Sequence, residues 1–140
     1  MNQIGDITFS SAKHIAKFVQ SAYAEIGRPL TILPGFKNEM GEHLRLIDPN
    51  SGTLFHVKFA QERFKSFSRF FPGKGNGEGE SISTEVIKNL KDNDVVFFGN
   101  PHEILKVFVG DLKERGVIRE NEKFGDNTWS IGVEFCEKYF

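Results

Sequence analysis

Residues 42–59 read Glu-His-Leu-Arg-Leu-Ile-Asp-Pro-Asn-Ser-Gly-Thr-Leu-Phe-His-Val-Lys-Phe. Two alternating runs flank the cluster Pro49-Asn50-Ser51-Gly52, which marks a turn. The pattern predicts a β-hairpin, with one strand over residues 42–48 and its return over residues 53–59. Side chains alternate between faces along a strand. Pairing across a four-residue turn therefore puts Leu44 and Leu46 on one face with Phe55, Val57 and Phe59. His43 and Arg45 share the other face with His56 and Lys58.

Upstream, Ile15, Phe18, Val19, Ala22 and Ile26 recur at i, i+3, i+4, i+7 and i+11, which predicts a helix over residues 11–26. Ser10 or Ser11 is placed to cap its first turn. Gly27 and Pro29 end it. Glu25 falls on the flank of the apolar stripe. Leu30 to Leu33 reads as a short strand closed by Pro34-Gly35.

Downstream, Ala60, Phe64, Phe67 and Phe71 have helical spacing, which predicts a second helix over residues 60–71. Residues 72–80 hold Gly73, Gly75, Gly77 and Gly79 and read as a mobile loop. A third helix is expected over residues 84–91, capped by Ser83 and stapled by Ile82 and Ile87. Val95-Val96-Phe97-Phe98 is a continuous apolar run between turn clusters, the mark of a central strand covered on both faces. Ile104 to Val109 is the next strand. Asp111 and Glu114 have capping-box spacing for a short helix ended by Gly116. Trp129, Ile131, Val133 and Phe135 alternate with smaller or polar residues, as in a half-buried strand. The expected architecture is one α+β domain over residues 1–140, with a mixed central sheet and a hairpin flanked by helices.

At 140 residues the chain has the length of one domain. No apolar run is long enough to span a bilayer as a helix. Residues 1–6 lack the layout of a signal peptide. Cys136 is the one cysteine, so no internal disulfide can form. These features predict a soluble cytoplasmic protein with no membrane partner. The net charge of -1 hides a division along the chain. Lys58, Arg63, Lys65, Arg69 and Lys74 face only Glu62 over residues 58–74, whereas residues 75–140 carry 13 acids and 8 bases. A near-neutral protein can still present a local cationic surface.

Several chemistries lose support at this level. The four histidines and Cys136 show no C-x-x-C or H-x-x-x-H spacing, and only His43 and His56 are placed to meet across the hairpin. There is no G-x-S-x-G nucleophile motif, and Gly73-Lys74 lacks the rest of a phosphate-binding Walker loop. The most informative segment runs from His56 to Lys74, where cations alternate with phenylalanines. Separated cations suit a phosphate backbone, and aromatic rings beside them suit unpaired bases. The plainer account is that Phe64, Phe67 and Phe71 belong to the core and the cations form a solvated face.

The order helix, strand, hairpin, helix, central strand resembles the restriction-endonuclease-like core of the PD-(D/E)xK nucleases, over about residues 10–109. The resemblance implies a carboxylate on the first helix, an acid near the hairpin's first strand and a D/E-x-K on its second. Here Glu25, Glu42 or Asp48, and His56-Val57-Lys58 occupy those places. Glu25, Glu42, Asp48 and Lys58 are thus the implied catalytic residues, with Glu25 and Asp48 as ligands of Mg²⁺ if the chain is a nuclease. The departure is His56, which stands where the family has an acid. Imidazole is a poor substitute for the hard oxygen ligands of Mg²⁺. His43, Arg45, His56, Lys58, Arg63, Lys65, Arg69 and Lys74 are the expected nucleic-acid contacts, to DNA or RNA. A metal-dependent nuclease and a homodimeric or protein-interaction module are the alternatives.

Overall fold

A computed structural model describes residues 7–34, 42–65, 77–121 and 126–140. The first helix, α1 (Ala12–Glu25), is capped by the Ser11 side chain, which accepts from the His14 N–H, and Gly27 follows it at φ 77°. The hairpin forms as β2 (His43–Ile47) and β3 (Leu54–Phe59), preceded by the short β1 (Thr31–Ile32). Leu44 lies opposite Val57, Arg45 opposite His56, Leu46 opposite Phe55, and His43 opposite Lys58. The two faces are divided as the alternation predicts.

Next to β3 runs β5 (Val95–Gly99), followed by β6 (Ile104–Phe108) and the two-residue β9 (Glu137–Lys138). The six strands stand in the order β1-β2-β3-β5-β6-β9. Among the described residues, β3 and β5 pair parallel and the other neighbours antiparallel, so the sheet is mixed. Every residue of β5 is buried. Val95 and Phe97 join the core beneath α1, and Val96 and Phe98 join a second core on the other side. A strand covered on both faces needs apolar side chains on both, which explains the unbroken run. At Gly99, the last residue of β5, the Ile15 side chain of α1 takes the space of a side chain: a Cβ there would sit 2.0 Å from Cδ1 of Ile15.

The second core lies under a small antiparallel sheet with the order β4-β8-β7, made of β4 (Gly79–Ser83), β7 (Val117–Asn121) and β8 (Asp126–Gly132). Ile82 and Ile131 pack there against Val96, Phe98, Leu105 and Val107 of the large sheet. The one-turn α2 (Thr84–Ile87) and α3 (Val109–Arg115) close the same side. The result is one α+β domain of three layers.

Several expectations are corrected. Residues 60–65 are not helical. Ala60 donates to the Gly99 carbonyl, and Phe64 exchanges two backbone bonds with Gly79, both 2.9 Å, so these groups bond across the fold rather than within a helix. The rest of the expected helix, residues 66–71, lies outside the described residues. Gly79 and Glu80 are not loop but the start of β4. The third helix stops after one turn, although Ser83 does cap it. Asp111 does not cap α3. That helix starts directly from β6, and its first amides are met by the Asp94 and Asp92 carbonyls. The strand expected over residues 129–135 ends at Gly132, and Val133–Phe135 form a 3-10 turn.

Candidate functional site

The polar face of the hairpin turns toward the small sheet, not toward open solvent. Arg45 donates from Nη2 to the Val86 carbonyl, and Lys58 donates from Nζ to the Ser81 carbonyl. Both carbonyls belong to the segment that crosses over β3. Arg45 also donates from Nε to Nδ1 of His56 at 3.1 Å, and Nε2 of His56 lies 2.8 Å from Nδ1 of His43.

These contacts set the tautomers. A guanidinium only donates, so Nδ1 of His56 must accept. The ring proton of neutral His56 then sits on Nε2 and is given to His43, which carries its own proton on Nε2. Burial favours the uncharged rings, and the neighbouring cations add to it. His56 is pushed down to about 2, by burial first and then by His43, Arg45 and Lys58. His43 is lowered to about 4 by burial, Lys58 and Arg45. The pair is therefore neutral at neutral pH. Two ring nitrogens sharing a proton at 2.8 Å are engaged with each other rather than with a cation.

Burial also lowers Lys58, while the charges of Glu80 and Glu42 pull it back up. Glu80 is raised by burial and opposed by its bond to Arg63, whose Nε donates to Oε2 at 2.8 Å. Arg63 reaches Glu103 as well, and Glu78 at 3.8 Å. Burial pulls Arg63 down, but its bonds to Glu103 and Glu80 more than offset this and leave it raised. Glu80 and Glu103 are participants that the sequence reading did not single out. For Glu80 a signal existed: Glu80 and Ile82 alternate with Ser81 and Ser83, as on one strand face.

The implied catalytic residues do not gather. Glu25 is exposed at the end of α1, on the opposite side of the large sheet from Lys58. Asp48 lies at the turn end of the hairpin, five strand positions from His43, or roughly 17 Å. Its Oδ2 accepts from Nε and Nη2 of Arg28 at 3.2 and 2.9 Å, and its Oδ1 accepts from the Asn50 N–H. Arg28 is the main reason that Asp48 is held below the usual carboxylate range. Of the three implied carboxylates, Glu42 is the one whose charge acts on Lys58. Among the described residues, no three His, Cys, Asp or Glu side chains come together as a metal site would require. Lys65 is exposed beside Glu62, 3.8 Å away. Arg69 and Lys74 lie outside the described residues. Cys136 is pushed up to about 12 by burial, which removes its thiolate character at neutral pH.

No family model, curated protein or solved structure matches the chain. Among the described residues, no helix is long and apolar enough to cross a membrane.

Proposed function

We propose that the protein binds nucleic acid, using the cation- and Phe-rich segment of residues 58–74 on a nuclease-like α+β scaffold. The observation that carries this reading is the sequence of the segment beyond Arg63. Lys58 and Arg63 are turned inward and held by protein groups. Residues 63–77 contain no acid, and Lys65, Arg69 and Lys74 stand there with Phe67, Phe70 and Phe71 between them. Phosphates need separated, solvated cations, and ring faces add sequence-tolerant stacking.

Hydrolysis by Mg²⁺ receives less support. Glu25 and Asp48 lie away from Lys58, and the buried carboxylate that does approach it, Glu80, is tied to Arg63. The deciding experiment is fluorescence anisotropy with labelled single- and double-stranded DNA and RNA at low salt. Saturable binding is the expected result. Absence of binding to all of them would overturn the proposal.

A further inference from the structure

The outward face of α1 carries a feature that nucleic-acid binding does not use. Among the described residues, a hollow of about 260 Å³ is lined by Phe18, Ser21, Ala22 and Glu25. These residues stand at i, i+3, i+4 and i+7. That is the four-residue hole into which a side chain of a facing helix fits when two helices pack knobs into holes. His14, one helical step earlier, extends the same face, since His14, Phe18, Ser21 and Glu25 have the 4-3-4 spacing of a helix seam. His14, Ser21 and Glu25 are exposed, and Phe18 and Ala22 are half-buried.

The face is complementary to itself when run antiparallel. Laying Phe18 against Ser21 of a second copy also lays His14 against Glu25 of that copy, because both pairs share one midpoint. Each large side chain then meets a small one, and each donor meets an acceptor. The donor is defined by the structure. The Ser10 N–H donates to Nδ1 of His14 at 3.2 Å, so Nε2 is the ring nitrogen left to donate. A two-fold axis repeats every contact, as an isologous interface requires.

We infer that α1 is a self-association surface: two copies of this chain pair antiparallel through His14, Phe18, Ser21, Ala22 and Glu25. One helix pair covers less area than a standard stable interface, so the dimer is weak and depends on concentration.

Analytical ultracentrifugation of the intact protein, without nucleic acid, from ~10 µM to ~1 mM tests this in the range where weak interfaces dissociate. The expected result is a reversible shift toward twice the monomer mass. Glu25→Lys sets a cation against the His14 donor and should keep the protein monomeric throughout. His14→Glu combined with Glu25→Lys restores an opposite-charge pair and should restore the dimer. An acid near the start of α1 and a base near its end both suit the helix dipole, so neither change weakens the helix. Matching thermal unfolding curves check that point. A monomer at every concentration would overturn the inference. So would a dimer that Glu25→Lys leaves intact, or a loss that the double variant does not reverse.

Discussion

His56 gives its Nε2 proton to Nδ1 of His43 across 2.8 Å, while Arg45 holds the far nitrogen of His56 at 3.1 Å. Both rings titrate well below an unfolded histidine, at about 2 and about 4 against 6.5. Between roughly pH 4 and 6.5 the unfolded chain therefore binds more protons at these two positions than the folded one. Stability must rise with pH across that window and be lost as pH falls. Each histidine contributes a slope approaching about 1.4 kcal/mol per pH unit. Glu80, raised by burial, works in the opposite direction over part of the window. Asp48, held low by Arg28, adds its own loss only below the ordinary carboxylate value of 3.8. The clean measurement is the difference between wild type and His43→Gln in urea unfolding from pH 4.5 to 7. The variant should show a slope shallower by about 1.4 kcal/mol per pH unit. Parallel curves would mean that His43 protonates as freely folded as unfolded.

Arg63 binds a buried carboxylate, Glu80, and a half-buried one, Glu103. Replacing it with Met leaves the buried Glu80 carboxyl without its hydrogen-bonded cation. Breaking one side of a buried pair costs about 3–5 kcal/mol. Arg63→Met should fall in that range by urea unfolding at pH 7. Adding Glu80→Met removes the orphaned carboxyl and should recover much of the loss. A single variant as stable as wild type would show that water reaches Glu80 freely.

Phe97 lies on the central strand and is fully buried, with rings of Phe55 at 6.1 Å and Tyr139 at 5.0 Å from its own. Phe97→Ala should cost about 3–5 kcal/mol. Phe108 ends the neighbouring strand and is 45% exposed. Its truncation should cost far less, within about 1 kcal/mol, including the loss of its contact with Lys106. Equal losses at the two positions would contradict the layering.

The large sheet was legible because its signals are local. The Pro-Asn-Ser-Gly turn fixes the register of β2 and β3, and four apolar residues in a row need cover on both sides. The small sheet was not. Residues 79–83, Gly-Glu-Ser-Ile-Ser, hold one apolar side chain, and the Gly-rich stretch before them reads as loop. What makes them a strand is pairing with Thr128–Gly132, almost fifty residues away. The same distance hid the fate of the polar hairpin face. His43, Arg45, His56 and Lys58 look like a solvent face by alternation, and only the segment that folds back over them shows otherwise. Phe64 misled in a different way: its helical spacing with Ala60 is real, but two backbone bonds to Gly79 override it.

The inward turn of Lys58 and Arg63 changes what salt should do to the proposed nucleic-acid binding. Five cations in residues 58–74 would suggest five phosphate contacts, and a log–log salt slope of about -4.5 on double strands. With Lys58 and Arg63 held by Ser81, Glu80 and Glu103, three cations remain for phosphate: Lys65, Arg69 and Lys74. The slope should then be about -2.7 on double strands and about -2.1 on single strands. Lys65→Ala with Arg69→Ala removes two of the three. It should reduce the slope to roughly -0.9 and -0.7, and weaken all sequences alike, because phosphate contacts position a protein without reading bases. Lys58→Met should leave the slope unchanged, since that ammonium faces protein carbonyl rather than ligand. Anisotropy across a salt series with the three proteins separates the cases. A slope near -4.5 that falls when Lys58 is replaced would mean the hairpin face opens to the ligand. An unaltered slope in the double variant would remove residues 65–69 from the interface.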